Sequence, residues 1–179
     1  MRNIFTITLF ICFFLSCKKS NTSTPDSDSR LDRPYCNDPE AVNYNWAFPG
    51  TPDNSICFYP TEVFSSAYAF NDSVYFKDGT FLYDTPLTLH LYALDKTKLV
   101  MTGFCGAGST DTLWLTADRF YRAQLDTTIE NGQALCNIKD TVTGNIIQSM
   151  SDSSTLKVNF TVVSDSDNVY FHRGTALKL

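Results

Sequence analysis

Histidine is scarce in this chain: His90 and His172 are the two in 179 residues. Neither has a Ser, Cys or carboxylate beside it in a nucleophile motif, and GxSxG is absent. Both histidines read as surface strand residues, and no enzyme is expected. No CxxC occurs, so a redox site and a zinc knuckle both lack their usual spacing. There is no run of Lys or Arg, and 14 basic against 19 acidic residues leave a net charge of -5. That argues against nucleic acid as a partner and against a polybasic membrane patch. Gly106-Ala107-Gly108-Ser109 lacks the Lys and the length of a phosphate loop, and reads as a hairpin turn. Helical periodicity is also missing. TADRFYRAQL, residues 116–125, is the one helix candidate, and it reads as a strand with Tyr121, Ala123 and Leu125 inward.

What is present begins at the N-terminus. Arg2 precedes an apolar run over residues 4–15, too short to span a bilayer comfortably and of the length of a signal-peptide core. Phe14-Leu15-Ser16-Cys17 resembles a bacterial lipobox, in which a small residue precedes a cysteine that is acylated. Residues 1–16 are therefore expected to be a signal peptide, with lipidation at Cys17. Residues 17–34 follow as a polar, Ser/Asp-rich flexible tether that cannot nucleate a core. Cleavage removes Arg2 and moves the net charge from -5 to -6. The expected location is the bacterial cell envelope, at the outer membrane, with the acyl chains as the membrane contact.

Cys12 leaves with the signal and Cys17 carries lipid, so four cysteines remain. An even number in an exported chain implies disulfides. Three pairings are formally open. Cys36–Cys57 with Cys105–Cys136 is favoured, because each pair flanks a locally coherent segment. The first would close a small module, residues 35–60, around CNDPEAVNYNWAFPGTPDNSIC. Tyr44, Trp46, Phe48 and Phe58 are its expected anchors. Asp38, Asn43, Asn45, Asp53 and Asn54 offer oxygen ligands of the kind calcium takes, but the spacing matches no EF-hand. Such residues also cap turns. Capping is the favoured reading, no cofactor is expected, and calcium at Asp38 and Asp53 is the alternative.

Residues 61–179 alternate with period two. Leu87, Leu89 and Leu91 share one face, as do Leu113 and Leu115, and Leu156, Val158, Phe160 and Val162. Turn signals separate such stretches at Lys77-Asp78-Gly79, Asp95-Lys96, Glu130-Asn131-Gly132, Thr143-Gly144-Asn145 and Asp165-Ser166-Asp167. The expectation is an all-β domain of roughly eight to ten strands, an antiparallel meander barrel or a two-layer sandwich. The barrel is preferred because it removes exposed edges. Trp46, Phe48, Phe58, Tyr59, Tyr92 and Trp114 are candidates to line a groove or barrel mouth. Trp114 falls on the polar phase of its strand. Asp84, Asp111, Asp118 and Asp126 are the carboxylates that a hydrolase would need to converge.

Three stretches carry a family resemblance. Cys36, Asp38, Pro39, Ala41, Asn43, Tyr44, Asn45, Asp53, Ser55 and Cys57 resemble a cysteine-bounded motif of exported Bacteroidetes proteins, Cys-x-Asp-Pro-x-Ala-x-Asn-Tyr-Asn…Cys. Asp53-Asn54-Ser55-Ile56 stands where Asp-Asp-Gly-Ser is usual. Cys17-Lys18-Lys19 after the lipobox is similar to lipoproteins of that group. Residues 64–179, through Asn71-Asp72-Ser73-Val74 and Gly174-Thr175-Ala176, look like the small all-β, lipocalin-like domain of some of them. The resemblance implies a lipoprotein whose activity is unassigned, most simply a binding module for a small ligand, glycan or envelope partner. A carboxylate-dependent hydrolase and a structural surface component are the alternatives. Four Asp-Ser/Thr-apolar or similar triplets also resemble the periplasmic O-glycosylation acceptor of that group, with Ser73, Thr112, Thr127 and Thr141 as acceptors; an ordinary strand start after a turn gives the same pattern.

Overall fold

The computed structural model describes residues 28–106, 108–109, 111–127, 132–136 and 139–179. The signal segment 1–16, Cys17 and most of the tether lie outside the described residues.

Alternation becomes strand almost throughout. β1 (Pro34–Tyr35) and β2 (Thr51–Pro52) lie in the N-terminal module, and a short helix α1 (Pro60–Phe64) follows. Then come β3 (Ser66–Phe76), β4 (Phe81–Ala93), β5 (Lys98–Thr102), β6 (Thr112–Asp118), β7 (Arg122–Leu125), β8 (Gln133–Leu135), β9 (Asp140–Ser149), β10 (Asp152–Val163) and β11 (Val169–Lys178). The strands β3-β4-β5-β6-β7-β9-β10-β11 pair antiparallel in that order, and β11 returns to β3. The result is a closed eight-stranded meander barrel. Closure leaves no long unpaired edge, the weakness of the sandwich alternative.

One expected turn, Thr143-Gly144-Asn145, is not a turn, and Glu130 and Asn131 of another lie outside the described residues. Gly144 sits in the middle of β9 with φ +136°, where β10 runs so close that a Cβ would lie 2.2 Å from the Asn159 carbonyl oxygen. Glycine there serves close approach of two strands. β7 and β8 do not pair with each other. Both pair with β9, β7 at residues 145–147 and β8 at 140–142, as two pieces of one stave. The Gln133 side chain completes that stave: Trp114 N–H donates to its Oε1 at 2.8 Å, and its Nε2 donates to Trp114 O at 2.5 Å. The segment 116–125 splits into β6, a tight turn with Tyr121 at φ +63°, and β7. Ala123 and Leu125 are fully buried, whereas Tyr121 is spent on the turn and does not point inward as expected.

The barrel is filled at one end. Tyr68, Leu89, Leu91, Leu99, Leu115, Ala123, Ile146 and Leu156 are fully or almost fully buried there. α1 lies across that end. Pro60 opens the helix, a position where its missing N–H costs nothing, and Phe64 is inserted with no exposed surface. The Tyr68 hydroxyl donates to Phe64 O at 3.1 Å, and burial raises its pKa above the usual phenol value.

The module sits on this capped end. Cys36–Cys57 and Cys105–Cys136 are both disulfides. Inside the first loop the Asn and Asp residues bond to backbone. Asn43 donates to Ile56 O and accepts from Phe58 N–H, Asn54 Oδ1 accepts from Asn37 N–H, and Asp53 caps the turn at Ser55. The anchors differ from those expected. Trp46 and Phe48 are each 66% exposed, while Tyr35, Cys36, Ala41 and Val42 are buried. The two large rings pack edge-on against Phe58 and Tyr35 from outside.

Candidate functional site

The other end of the barrel is open, and there the strands enclose a cavity of about 620 Å3. Its walls are apolar and aromatic: Val74, Phe76, Leu82, Tyr83, Leu87, Phe104, Leu135, Val162 and Tyr170. Phe76 and Tyr83 are 41% and 53% exposed, so the aromatic wall reaches solvent at the rim. The Cys105–Cys136 disulfide lines the same cavity and ties the β5–β6 loop to the segment after β8.

The polar lining is sparse and specific. On β3 the inward phase runs Tyr68, Phe70, Asp72, Val74, so Asp72 points into the barrel and is 3% exposed. On β11 the inward phase carries Ala176, Gly174 and His172. Arg173 pairs with Ser73 and His172 with Val74 across the strands, which brings the His172 ring beside Asp72. Nδ1 of His172 lies 2.7 Å from Asp72 Oδ2. Nδ1 is thereby engaged with Asp72, and Nε2 is the ring nitrogen left for other partners. The Phe104 ring packs against the imidazole with centroids 5.3 Å apart. Gly174 makes room for the pair, since a Cβ there would lie 2.2 Å from Asn71 O and 2.8 Å from the Phe70 ring. Asp72 Oδ1 is buried without a hydrogen-bond partner among the described residues. Asp140 and Thr85 also belong to the polar lining, and no Lys or Arg among the described residues contributes to it.

The structure relocates several expected groups. His172 is not a surface strand residue, for its side chain is only 14% exposed. His90 does lie outside the barrel's inward phase and stacks on Tyr92 at 6.2 Å. Asp84, Asp111, Asp118 and Asp126 do not converge. Asp111 and Asp118 lie at opposite ends of β6, and Asp118 caps the turn to β7. Asp126 is paired with Lys98 at 2.8 Å, which with Thr116 holds its carboxyl below the usual range. Among the expected aromatic residues, Trp114 stands half exposed on the outside of β6, and Trp46 lines a separate groove of about 270 Å3 with Phe120 and Met150 at the capped end.

Asp38 and Asp53 have other partners. Asp38 accepts from Lys96 Nζ at 2.6 Å and from the Tyr59 hydroxyl at 3.0 Å, which fastens the module to the β4–β5 turn. Asp53 accepts from the Ser55 amide and hydroxyl. Of the hydroxyl candidates, Ser73 lies on the outward phase of β3, Thr112 begins β6, Thr127 is exposed beyond β7, and Thr141 lies in β9. Cys105, Asp111 and Cys136 cluster within 4.8 Å, but the two sulfurs are bonded to each other and offer no thiolate. No helix among the described residues is long and apolar enough to cross a membrane.

No family model matches the chain, and no curated protein sequence does. Among solved structures it is similar to a redesigned β-barrel, at 13% identity and a TM-score of 0.43, covering 68% of this chain and 96% of that one. It is also similar to EF1p2_mFAP2b bound to DFHBI, at 12% identity and a TM-score of 0.44, covering 67% and 97%. A third is a protein of unknown function of the DUF3598 family from Nostoc punctiforme, at 10% identity and a TM-score of 0.41. That match covers 68% of this chain and 50% of the other.

Proposed function

We propose that the protein is a non-catalytic binding module of the cell envelope, held to the membrane through Cys17, that takes a small molecule with an apolar body in the barrel mouth. The observation that carries this reading is the cavity of about 620 Å3, walled by aromatic and aliphatic side chains with one buried Asp72–His172 pair. Ligand sites have this size and this ratio of apolar wall to a few placed polar groups. An Asp–His pair also resembles half of a general-base relay. Among the described residues, however, no Ser, Thr or Cys is bonded to His172, and the cysteines at the cavity are oxidised. That favours binding over nucleophilic catalysis.

The test is titration with prodan, a neutral dye whose emission shifts on leaving water. Saturable binding with a blue shift is expected. Leu87→Trp, at a partly buried wall position, should fill the cavity and weaken binding at least about tenfold, a loss of about 1.4 kcal/mol. The native fold should persist by circular dichroism. Unchanged binding in that variant, or none in the wild type, would overturn the mouth as a ligand site.

A further inference from the structure

Resting on the reading of the mouth as a ligand site, we propose that its ligand is an amine: an apolar or aromatic body carrying a protonated nitrogen that bonds to Asp72. Three independent features converge on this class.

The first is charge. Among the described residues two carboxylates, Asp72 and Asp140, line the cavity, and neither Lys nor Arg does. The single basic group, His172, has Nδ1 committed to Asp72 Oδ2 at 2.7 Å. An anion entering here meets two carboxylates on the cavity wall and no Lys or Arg among the described lining residues, in a place where apolar walls weaken screening. A cation meets the opposite field.

The second is an unfilled bond. Asp72 Oδ1 is buried with no donor among the described residues, although Asp72 as a whole is 3% exposed. A buried carboxylate oxygen without a hydrogen bond is costly, and a ligand N–H placed there removes the cost. A purely apolar ligand would leave the same oxygen unpaired. An N⁺–H donor makes the stronger, charge-assisted bond.

The third is the wall. Phe76, Tyr83, Phe104 and Tyr170 present rings to the cavity, and aromatic faces attract cations within about 6 Å of the ring centre. Asp140, at the start of β9, holds its Oδ1 on the Asp165 amide at 3.0 Å, so its charge is fixed near the entrance. An incoming amine would therefore pass one carboxylate before reaching the second.

The experiment displaces prodan from the full chain with three probes of one shape: 4-phenylbutylamine, 4-phenylbutan-1-ol and 4-phenylbutyrate, at neutral pH. The amine should displace the dye at least about tenfold below the carboxylate, with the alcohol between them. Asp72→Asn should shrink that gap to about threefold or less. Asp140→Asn, at a partly buried position, should reduce it part of the way and keeps the test decisive if Asp72→Asn does not fold. Equal displacement by amine and carboxylate, or a gap unchanged in both variants, overturns the amine proposal while leaving the cavity reading intact. Failure of prodan to bind the wild type overturns the cavity reading itself.

Discussion

The two ends of the barrel are made from the same strands and treated in opposite ways. At the capped end the inward positions are apolar or small apart from Gln148, whose Nε2 donates to Ser153 O at 2.9 Å, and α1 lies across the opening with Phe64 fully buried. At the open end the inward positions include Asp72, Thr85, Asp140 and His172, and no element among the described residues crosses the opening. Polar groups in the first setting need a partner from the protein itself, as Gln148 has in Ser153 O. In the second they have a ring, a rim or an incoming molecule to answer them. The difference teaches where stability and recognition are separated: a closed β-barrel can concentrate its packing in one half and leave the other half with a shaped, partly polar interior.

The sharpest way to break this comparison is to unplug the capped end. Phe64→Ala removes a fully buried ring from a closely packed site and should cost about 3–5 kcal/mol. Urea denaturation measures it. If the ends are separable, prodan affinity of the folded variant should stay within about twofold of wild type, as for distant sites. A loss of binding matching the loss of stability would show instead that the mouth depends on the plug.

The next largest effect is expected from Cys36→Ser with Cys57→Ser, which opens a loop of 21 residues' separation on the capped end. The chain-entropy model gives about 3 kcal/mol for the module's own ordering. Proteolysis of residues 36–57 ahead of the barrel is the expected readout, with the mouth unaffected.

The smallest effect concerns acid. The Lys96 ammonium beside Asp38, with the Glu40 amide and the Tyr59 hydroxyl, holds the Asp38 carboxyl below its ordinary value. A depressed folded pKa contributes stability above the unfolded value near about 3.9, and that contribution is lost as pH falls through the folded one. Protection factors for the amides of residues 36–57, taken against the intrinsic rate at each pH, should therefore fall below about pH 4, before those of the barrel respond. Lys96→Ala should move that onset to higher pH. Simultaneous loosening of module and barrel would mean that the seam between them does not titrate independently.

Much of the filled half was legible in the sequence. Leu156, Val158, Phe160 and Val162 were expected inward together and are at most 6% exposed, and Leu113 and Leu115 behave likewise. Leu87, on the same phase as Leu89 and Leu91, is only partly buried because that phase there faces the cavity instead of a packed core. The site was harder to see for the same reason. A polar residue at an inward position looks, in one sequence, like an outward one. The available signal was phase: Asp72 stands two residues from Phe70 and Val74, and His172 two from Gly174 and four from Ala176. Following the strand's parity through those neighbours would have turned both inward. Their meeting depends on the pairing of β3 with β11, a contact across a hundred residues that alternation cannot supply. The module misled in a different way. Its rings look like anchors, yet a loop closed by a disulfide and stitched by Asn side chains needs little core, so Trp46 and Phe48 stay outside.

Gln133 gives the barrel one property that its staves do not share. Around most of the circumference, neighbouring strands are joined by peptide groups, whose chemistry mutation cannot alter. Opposite Trp114 the joint is shared: the Asp126 amide donates to Trp114 O at 2.9 Å, and the Gln133 side-chain amide adds its own pair of bonds to the same residue. The hoop thus has a clasp. A substitution there changes a hydrogen-bonding group that is normally common to every residue, so the circle can be loosened at one stave by a single codon, with the remaining ladders left as they are.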